Sequence, residues 1–253
     1  MNEAEQVAWA EQIENAARQG VPKPCLADKQ PLSTEDAYRI LQCRAEMRSA
    51  DRIIGFKGAL TNESAQATFR TAEPVIGLLF ESAERVSGVI DSTEFKKGMI
   101  ETELGFRLTK RITEPLRAVD QLQAVIDEMA LMVELVDLDF AQFPPTLADL
   151  IVHNAAAKSF IRGQSKPFAE FTNQSQLRLE ESGICLQEGT ASEVLGDQRQ
   201  GLMWMINTAM TLGYRLDAGL WLMTGSVGSV SLLRPGRYGL VCDGFETLTF
   251  EVV

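Results

Sequence analysis

Three observations place this chain in the α+β class. Residues 1–50 carry helical periodicity, the texture after Asp51 is one of short apolar runs broken by Gly, Asn, Ser and Thr, and only a few later segments return to helical spacing. The 253 residues contain no internal repeat, low-complexity tract or long linker. One structural unit is therefore expected, with an N-terminal helical segment at 1–50 and a β-rich part at 51–253.

The elements follow from spacing and punctuation. Residues Asn2 to Arg18 set Val7, Ala10, Ile13 and Ala17 on one helical face, and Gly20 ends the segment. Val21 to Pro31 holds three prolines, each of which removes a backbone donor, so an irregular connector is expected. Ser33 then caps a second helix carrying Ala37, Ile40, Leu41, Ala45 and Met47. Strands follow at IIGF and VIGLLF. Helical spacing of Leu122, Val125, Ile126, Met129 and Met132 predicts a helix over Asp120 to Val133. After Pro144-Pro145, Leu147 to Ala157 reads as a short helix or turn, and Gln176 to Leu179 with Ile184 to Gln187 as a hairpin. Leu202, Met205, Ile206 and Ala209 define a helix over Gln198 to Leu212 that stops at Gly213. LWLMTGSVGSVSLL and TLTFEVV read as strands, with Pro235-Gly236 turning the chain between them.

Charge narrows the function. With 24 Lys+Arg against 35 Asp+Glu the net charge is −11, which opposes nucleic-acid binding because that depends on neutralising phosphates. No apolar run approaches the roughly 20 residues of a membrane span, and the acidic N-terminus lacks the regions of a secretory signal. Four scattered cysteines (Cys25, Cys43, Cys185, Cys242) form no zinc pattern, which suits reduced thiols in a cytoplasm.

Chemistry concentrates in a few places. If Met99 to Leu108 is a strand, Glu101 and Glu103 project from one face and either hold a hard divalent cation or form a solvated acidic face. Lys57 sits between glycine-flanked segments, where a surface lysine is the simpler alternative. The MTGSVGS run has glycines that allow close backbone approach, but the spacing of a phosphate loop is absent. His153 is the only histidine, and a structural role is the expected one.

GFKGALT (55–61), GLLF (77–80), IETELGF (100–106), VELVDLDF (133–140), LADLIVHNAAAKSFIRG (147–163), SEVLG (192–196) and MTGSVG (223–228) occur in this order. Together they resemble the 2-keto-4-pentenoate hydratase and 4-oxalocrotonate decarboxylase group of the fumarylacetoacetate hydrolase superfamily. The resemblance implies a mixed β-sheet roll with the N-terminal helical segment attached, residues 51–253 being the catalytic part. It implies a lyase of aromatic catabolism that uses Mg²⁺ or Mn²⁺, held by Glu101, Glu103 and Glu134, and takes a short 2-oxo or 2-hydroxydienoic acid through a stabilised dienolate. Hydration of 2-hydroxypenta-2,4-dienoate is the simplest reaction. A 4-oxalocrotonate-type decarboxylase, an acylpyruvate hydrolase and a catalytically impaired 2-oxo-acid-binding homologue are the alternatives. It further implies Lys57 as a catalytic group, Leu79, Phe80, Thr224 and Gly225 at the substrate, and Asp149 and Asn154 beside the site. A homo-oligomer is expected, with a homologous lyase or pathway aldolase as an associate. Three positions depart from the family pattern: Ser82 stands where an acid is common, Ala156 where Ser is, and Ala59 where Gly is. A proton-transfer group is thereby expected to be missing, with Glu81 or Glu73 as substitutes.

Overall fold

The computed structural model of the chain describes residues 1–26, 29, 31–86 and 88–253. Residues 27, 28 and 30 of the Pro-containing connector lie outside it. Two helices open the chain. In α1 (Glu3–Gln19) the Asn2 side chain accepts from Glu5 N while the Glu5 carboxylate accepts from Asn2 N, and Gly20 closes the helix in the left-handed region. In α2 (Thr34–Met47) the Ser33 hydroxyl accepts from Asp36 N. Ala10 and Ile13 of α1 and Ala37, Ile40 and Leu41 of α2 are buried as their stripes predict, whereas Val7 and Ala45 are half-buried and Ala17 and Met47, at the C-terminal ends of the two stripes, are exposed.

The strands are β1 (Ile53–Ala59), β2 (Val75–Phe80), β3 (Val89–Ile90), β4 (Gly98–Leu108), β5 (Ile126–Asp137), β6 (Ala157–Pro167), β7 (Gln176–Glu181), β8 (Ile184–Thr190), β9 (Trp221–Met223), β10 (Ser231–Leu232), β11 (Gly236–Val241) and β12 (Leu248–Val252). A seven-stranded mixed sheet runs β2-β1-β9-β4-β5-β6, with β10 also paired to β4. A five-stranded sheet runs β3-β12-β11-β7-β8. Three further helices, α3 (Glu63–Phe69), α4 (Leu147–Val152) and α5 (Gln198–Thr211), lie between strands. No helix among the described residues is long and apolar enough to cross a membrane.

The larger sheet curls. Arg85, just beyond β2, donates its N–H to Phe160 O of β6 at 2.8 Å, bringing the two ends of the sheet together. The outer face carries the main core, in which Ile13 and Ile40 share one buried cluster with Ile76 and Leu78. The inner face carries a separate small cluster: Leu79, Ala130, Met132, Phe160, Trp221 and Met223.

Three expectations require correction. The helix read over Asp120 to Val133 does not exist: Val119–Ala124 forms a short 3₁₀ helix and Ile126–Asp137 is β5. Strand β5 lies between β4 and β6 and is buried on both faces, so apolar residues stand at nearly every position and a subset falls at helical spacing. The long strand read over LWLMTGSVGSVSLL is only β9 and β10, because Gly225 (φ 116) and Gly228 (φ 78) take the intervening chain out of the ladder. Helix α3, capped by Asn62, was masked by the Ser, Thr and Asn content of its region.

If the N-terminal helices are integral to the core, Ile40→Ala will lower the unfolding free energy by about 2–5 kcal/mol in urea titration. A loss below about 1 kcal/mol would show that α2 is only loosely attached.

Candidate active site

Strand parity builds the site. In register, Glu101 on β4 faces Glu134 on β5, and Glu103 faces Met132. All four side chains therefore share the inner face, since alternate residues of a strand point the same way. On β1, Lys57 is paired to Gly77 of β2 and Met223 of β9, which puts it on that face too. A Cβ at Gly77 would lie 3.1 Å from Lys57 Cδ and 3.0 Å from Asn154 Oδ1, so the lysine stem passes over a bare backbone.

One carboxylate oxygen from each of Glu101, Glu103 and Glu134 lies within 4.8 Å of the others. Glu103, Glu134 and Lys57 are 0, 0 and 1 % exposed. Lys57 Nζ is 2.9 Å from Glu134 Oε2 and donates to Ala155 O at 3.3 Å. Gly225 N–H donates to Glu103 Oε2 at 2.7 Å. Glu103 Oε1 and Glu134 Oε1 have no hydrogen-bond donor.

Three carboxylates and one ammonium carry −3 + 1 = −2 when ionised. In a buried setting this excess is costly. Burial first, then the neighbouring carboxylate Glu134, pushes Glu103 well above the ordinary carboxylate range, and burial raises Glu134 to about 7 despite Lys57. Burial alone would lower Lys57, but Glu134, Glu101 and Glu103 hold it above the usual lysine value. A divalent cation neutralises the excess and supplies the missing partners of the two orphaned oxygens. All-oxygen donors of this kind match a hard ion such as Mg²⁺ or Mn²⁺.

The lysine is steadied from the α4 side. Asn154, Ala155 and Ala156 follow α4 with φ of 56, 49 and 60°, three consecutive left-handed non-glycine residues. Each costs on the order of 1 kcal/mol, and the turn aims the Ala155 carbonyl at Lys57. Asn154 is held there by a two-point clamp, accepting from Leu78 N at 2.6 Å and donating to Leu78 O at 2.9 Å. Nothing in the letters Asn-Ala-Ala announces this turn, so the Ala155 carbonyl was illegible in the sequence. Phe160 was missed as well, although its place on β6 opposite Glu134 puts it in the site wall.

The remaining expected residues divide. Leu79 is on the inner face, whereas Phe80 belongs to the outer cluster, and both line a cavity of about 600 Å³ that reaches Glu134. Thr224 is fully buried with its hydroxyl directed to Gln198 Oε1 (2.5 Å) and Leu104 O (3.1 Å), so its contacts are internal to the fold. Gly225 meets the site through its N–H. Asp149 caps α4 through Thr146 and accepts from Leu26 N at 2.6 Å. Ser82 donates to Asp51 Oδ2 at 2.6 Å, Glu81 pairs with Arg52 at the surface, and Glu73 is exposed. His153 contacts Pro24 O through Nε2 at 2.9 Å, and burial chiefly pushes it down to about 3, so it is neutral.

No family model matches the chain. Comparison with curated proteins finds 25% identity to a 4-oxalocrotonate decarboxylase of Pseudomonas sp. (strain CF600), covering 94% of each chain. It also finds 27% identity to a 2-keto-4-pentenoate hydratase of Paraburkholderia xenovorans (strain LB400), covering 90% of this chain and 87% of the relative. Among solved structures, the 4-oxalocrotonate decarboxylase of Pseudomonas putida G7, complexed with magnesium and adipate, superposes with a TM-score of 0.93 at 22% identity over 100% of this chain and 99% of that one. Fumarylpyruvate hydrolase from Pseudomonas aeruginosa, with Mn²⁺ and pyruvate, gives 0.62 at 13% over 78% of this chain and 88% of that one. The curled sheet with its carboxylate triad thus has the fumarylacetoacetate hydrolase fold, and the two solved structures just named hold magnesium and Mn²⁺. On that fold the chain is similar in sequence to a 4-oxalocrotonate decarboxylase and a 2-keto-4-pentenoate hydratase.

The raised carboxylates have a pH signature. Glu103 and Glu134 bind protons more tightly folded than unfolded, so their contribution to stability is greatest below the ordinary value of 4.5 and declines as pH rises towards about 7. Metal-free protein will therefore lose stability relative to Glu103→Gln across that window in thermal melts. At pH 7.5, Mn²⁺ at a hundred times its dissociation constant will restore about 2.7 kcal/mol. A metal-free stability that rises relative to Glu103→Gln, or melts indifferent to Mn²⁺, would contradict the charge assignment.

Proposed function

We propose that this protein is a divalent-metal-dependent lyase acting on short 2-oxo or 2-hydroxydienoic acids. Hydration of 2-hydroxypenta-2,4-dienoate to 4-hydroxy-2-oxopentanoate is the simplest reaction. The observation that carries the reading is the convergence of the Glu101, Glu103 and Glu134 carboxylates around Lys57, with Glu134 lining an open cavity.

Glu101, Glu103 and Glu134 would hold Mg²⁺ or Mn²⁺. When bound, the ion supplies Lewis acidity to the carboxylate and 2-oxo oxygens of a 2-oxo acid. The chain does the rest. Gly225 N–H fixes the Glu103 carboxylate, and the Thr224 hydroxyl anchors the end of β9 to β4. Leu79 and Phe80 wall the cavity on the β2 side and Phe160 on the β6 side. Asn154 holds β2 in place, and Asp149 fixes the connector at Leu26.

Hydration moves protons in a defined way: the 2-hydroxyl loses one, C5 gains one, and water adds its hydroxyl at C4 and its proton at C3. Lys57 Nζ, fixed between Glu134 and Ala155 O, would hold or pass a proton at the reacting acid, a role these two contacts support. Met132, Met223 and Trp221 line the same face and limit bulk water there.

Decarboxylation is the second reading, and one observation favours it. Ser82, which stands at the family's acid position, spends its hydroxyl on Asp51, and the two expected substitutes are at the surface, Glu81 paired with Arg52 and Glu73 exposed, while release of CO₂ needs no such acid. Either reading carries a role in aromatic catabolism in the cytoplasm, as a homo-oligomer with a homologous lyase or pathway aldolase as associate. The acids for which the relatives are named support the catabolic role alone.

With Mn²⁺, 2-hydroxypenta-2,4-dienoate will lose its diene absorbance, or 4-oxalocrotonate will release CO₂. Lys57→Met will slow the active reaction by about 10²–10⁴-fold, and Glu134→Gln will abolish its metal dependence. No metal-dependent change with either acid would end the lyase reading.

A further inference from the structure

The loop that follows β9 is stitched to β4 on both sides of one clustered carboxylate. Thr224 N–H donates to Leu104 O at 3.1 Å and Val227 N–H to Thr102 O at 2.8 Å, so the loop spans Glu103. Between these two bonds Gly225 N–H reaches Glu103 Oε2 at 2.7 Å. The carboxylate is thereby held by one oxygen, and the other, Oε1, has no donor among the described residues. How firmly Glu103 stands depends on how firmly the loop is held.

Two buried glutamines brace that loop. Gln198, 0 % exposed at the start of α5, accepts the Thr224 hydroxyl on Oε1 at 2.5 Å. Its backbone is fixed in turn, because Gln198 N–H donates to Asn173 Oδ1 at 3.1 Å and the Asp197 side chain accepts from Arg199 N at 2.8 Å. Thr224 has a single hydroxyl proton to share between Gln198 Oε1 and Leu104 O, and the contact to Gln198 is the shorter. Gln187 on β8 works at the other end of the loop. Its Nε2 donates to Thr102 Oγ1 at 3.3 Å, that hydroxyl donates to Val227 O at 2.8 Å, and Ser231 Oγ donates to Gln187 Oε1 at 2.7 Å.

The two braces differ in one respect. Gln187 uses both ends of its amide, whereas Gln198 Nε2 has no partner among the described residues. An amide buried with half its polar groups unsatisfied stabilises a fold less than an apolar side chain of like volume. The contact to Thr224 is what Gln198 adds.

We propose that Gln198 is a positioning residue, which acts through Thr224 and Gly225 to fix the Glu103 carboxylate and so makes the metal site favour a small divalent ion over a larger one. The inference rests on the metal site of the lyase reading above and assigns a residue that tunes it. Mg²⁺ takes oxygens at about 2.0–2.1 Å in strict octahedral geometry, while Ca²⁺ accepts about 2.3–2.6 Å and adaptable, often two-point carboxylate binding. A carboxylate pinned through one oxygen suits the first ion. Released from the loop, it can turn and follow the second.

The test is calorimetric titration of metal-free full-length protein with Mg²⁺ and, separately, with Ca²⁺. Gln198→Met will raise the Mg²⁺ dissociation constant by about 10–100-fold and the Ca²⁺ constant by a smaller factor, so that the preference for Mg²⁺ falls. Thr224→Val removes the same contact from its other side and will lower the preference likewise, whereas Thr224→Ser keeps the hydroxyl and will retain it. The double variant Gln198→Met with Thr224→Val will lose no more than the larger single loss, because both changes delete one interaction. Should Gln198→Met not fold, Thr224→Val against Thr224→Ser reads the same contact. A role in packing alone would lower the melting temperature and leave the ratio of the two constants where it was. A ratio unchanged in the variants overturns the inference and leaves the lyase reading intact. Failure of the unmodified protein to bind either ion overturns the metal site and the inference together.

Discussion

Everything in the site depends on an uncompensated charge: three carboxylates around one ammonium on the inner face of a curled sheet, nearly sealed from solvent. Burial makes the imbalance expensive and so makes the site selective. A monovalent ion leaves one negative charge over, whereas a divalent ion cancels the excess and satisfies oxygens that the protein leaves without donors. The fold supplies the constraint by register. Glu101 stands opposite Glu134, so the central β4–β5 ladder forces the carboxylates together whether or not they repel.

The surrounding structure holds that arrangement from several sides. Gly77 gives the Lys57 stem room, and the left-handed turn at Asn154–Ala156 turns a carbonyl towards the ammonium. Gly225, at φ 116, could not carry a side chain, because a Cβ there would fall 2.0 Å from Thr61 Oγ1. That bare position lets its N–H approach Glu103. The N-terminal helices add the outer wall: Ile13 and Arg44 line the same cavity as Glu134, so residues 1–50 shape the entrance as well as the core.

Legibility followed physical range. Helix ends governed by local chemistry, such as Asn2 with Glu5 and Ser33 with Asp36, could be read directly. The pairing of Glu101 with Glu103 followed from strand alternation, but Glu134 entered only through family resemblance, since its strand partner is some thirty residues away and period alone assigned the start of that strand to a helix. The contacts that orient Thr224, Asp149 and Ser82 were invisible for the same reason: Gln198, Leu26 and Asp51 are remote in sequence. The Ala155 carbonyl was beyond reach because a backbone atom in a left-handed turn has no signature in residue type.

The most direct measurement is anomalous diffraction from a crystal soaked in Mn²⁺. The account predicts one strong peak within coordination distance of Glu101, Glu103 and Glu134 together, at about 2.0–2.3 Å from an oxygen of each. A well-occupied Mn²⁺ peak elsewhere, or none between these three side chains, would contradict it.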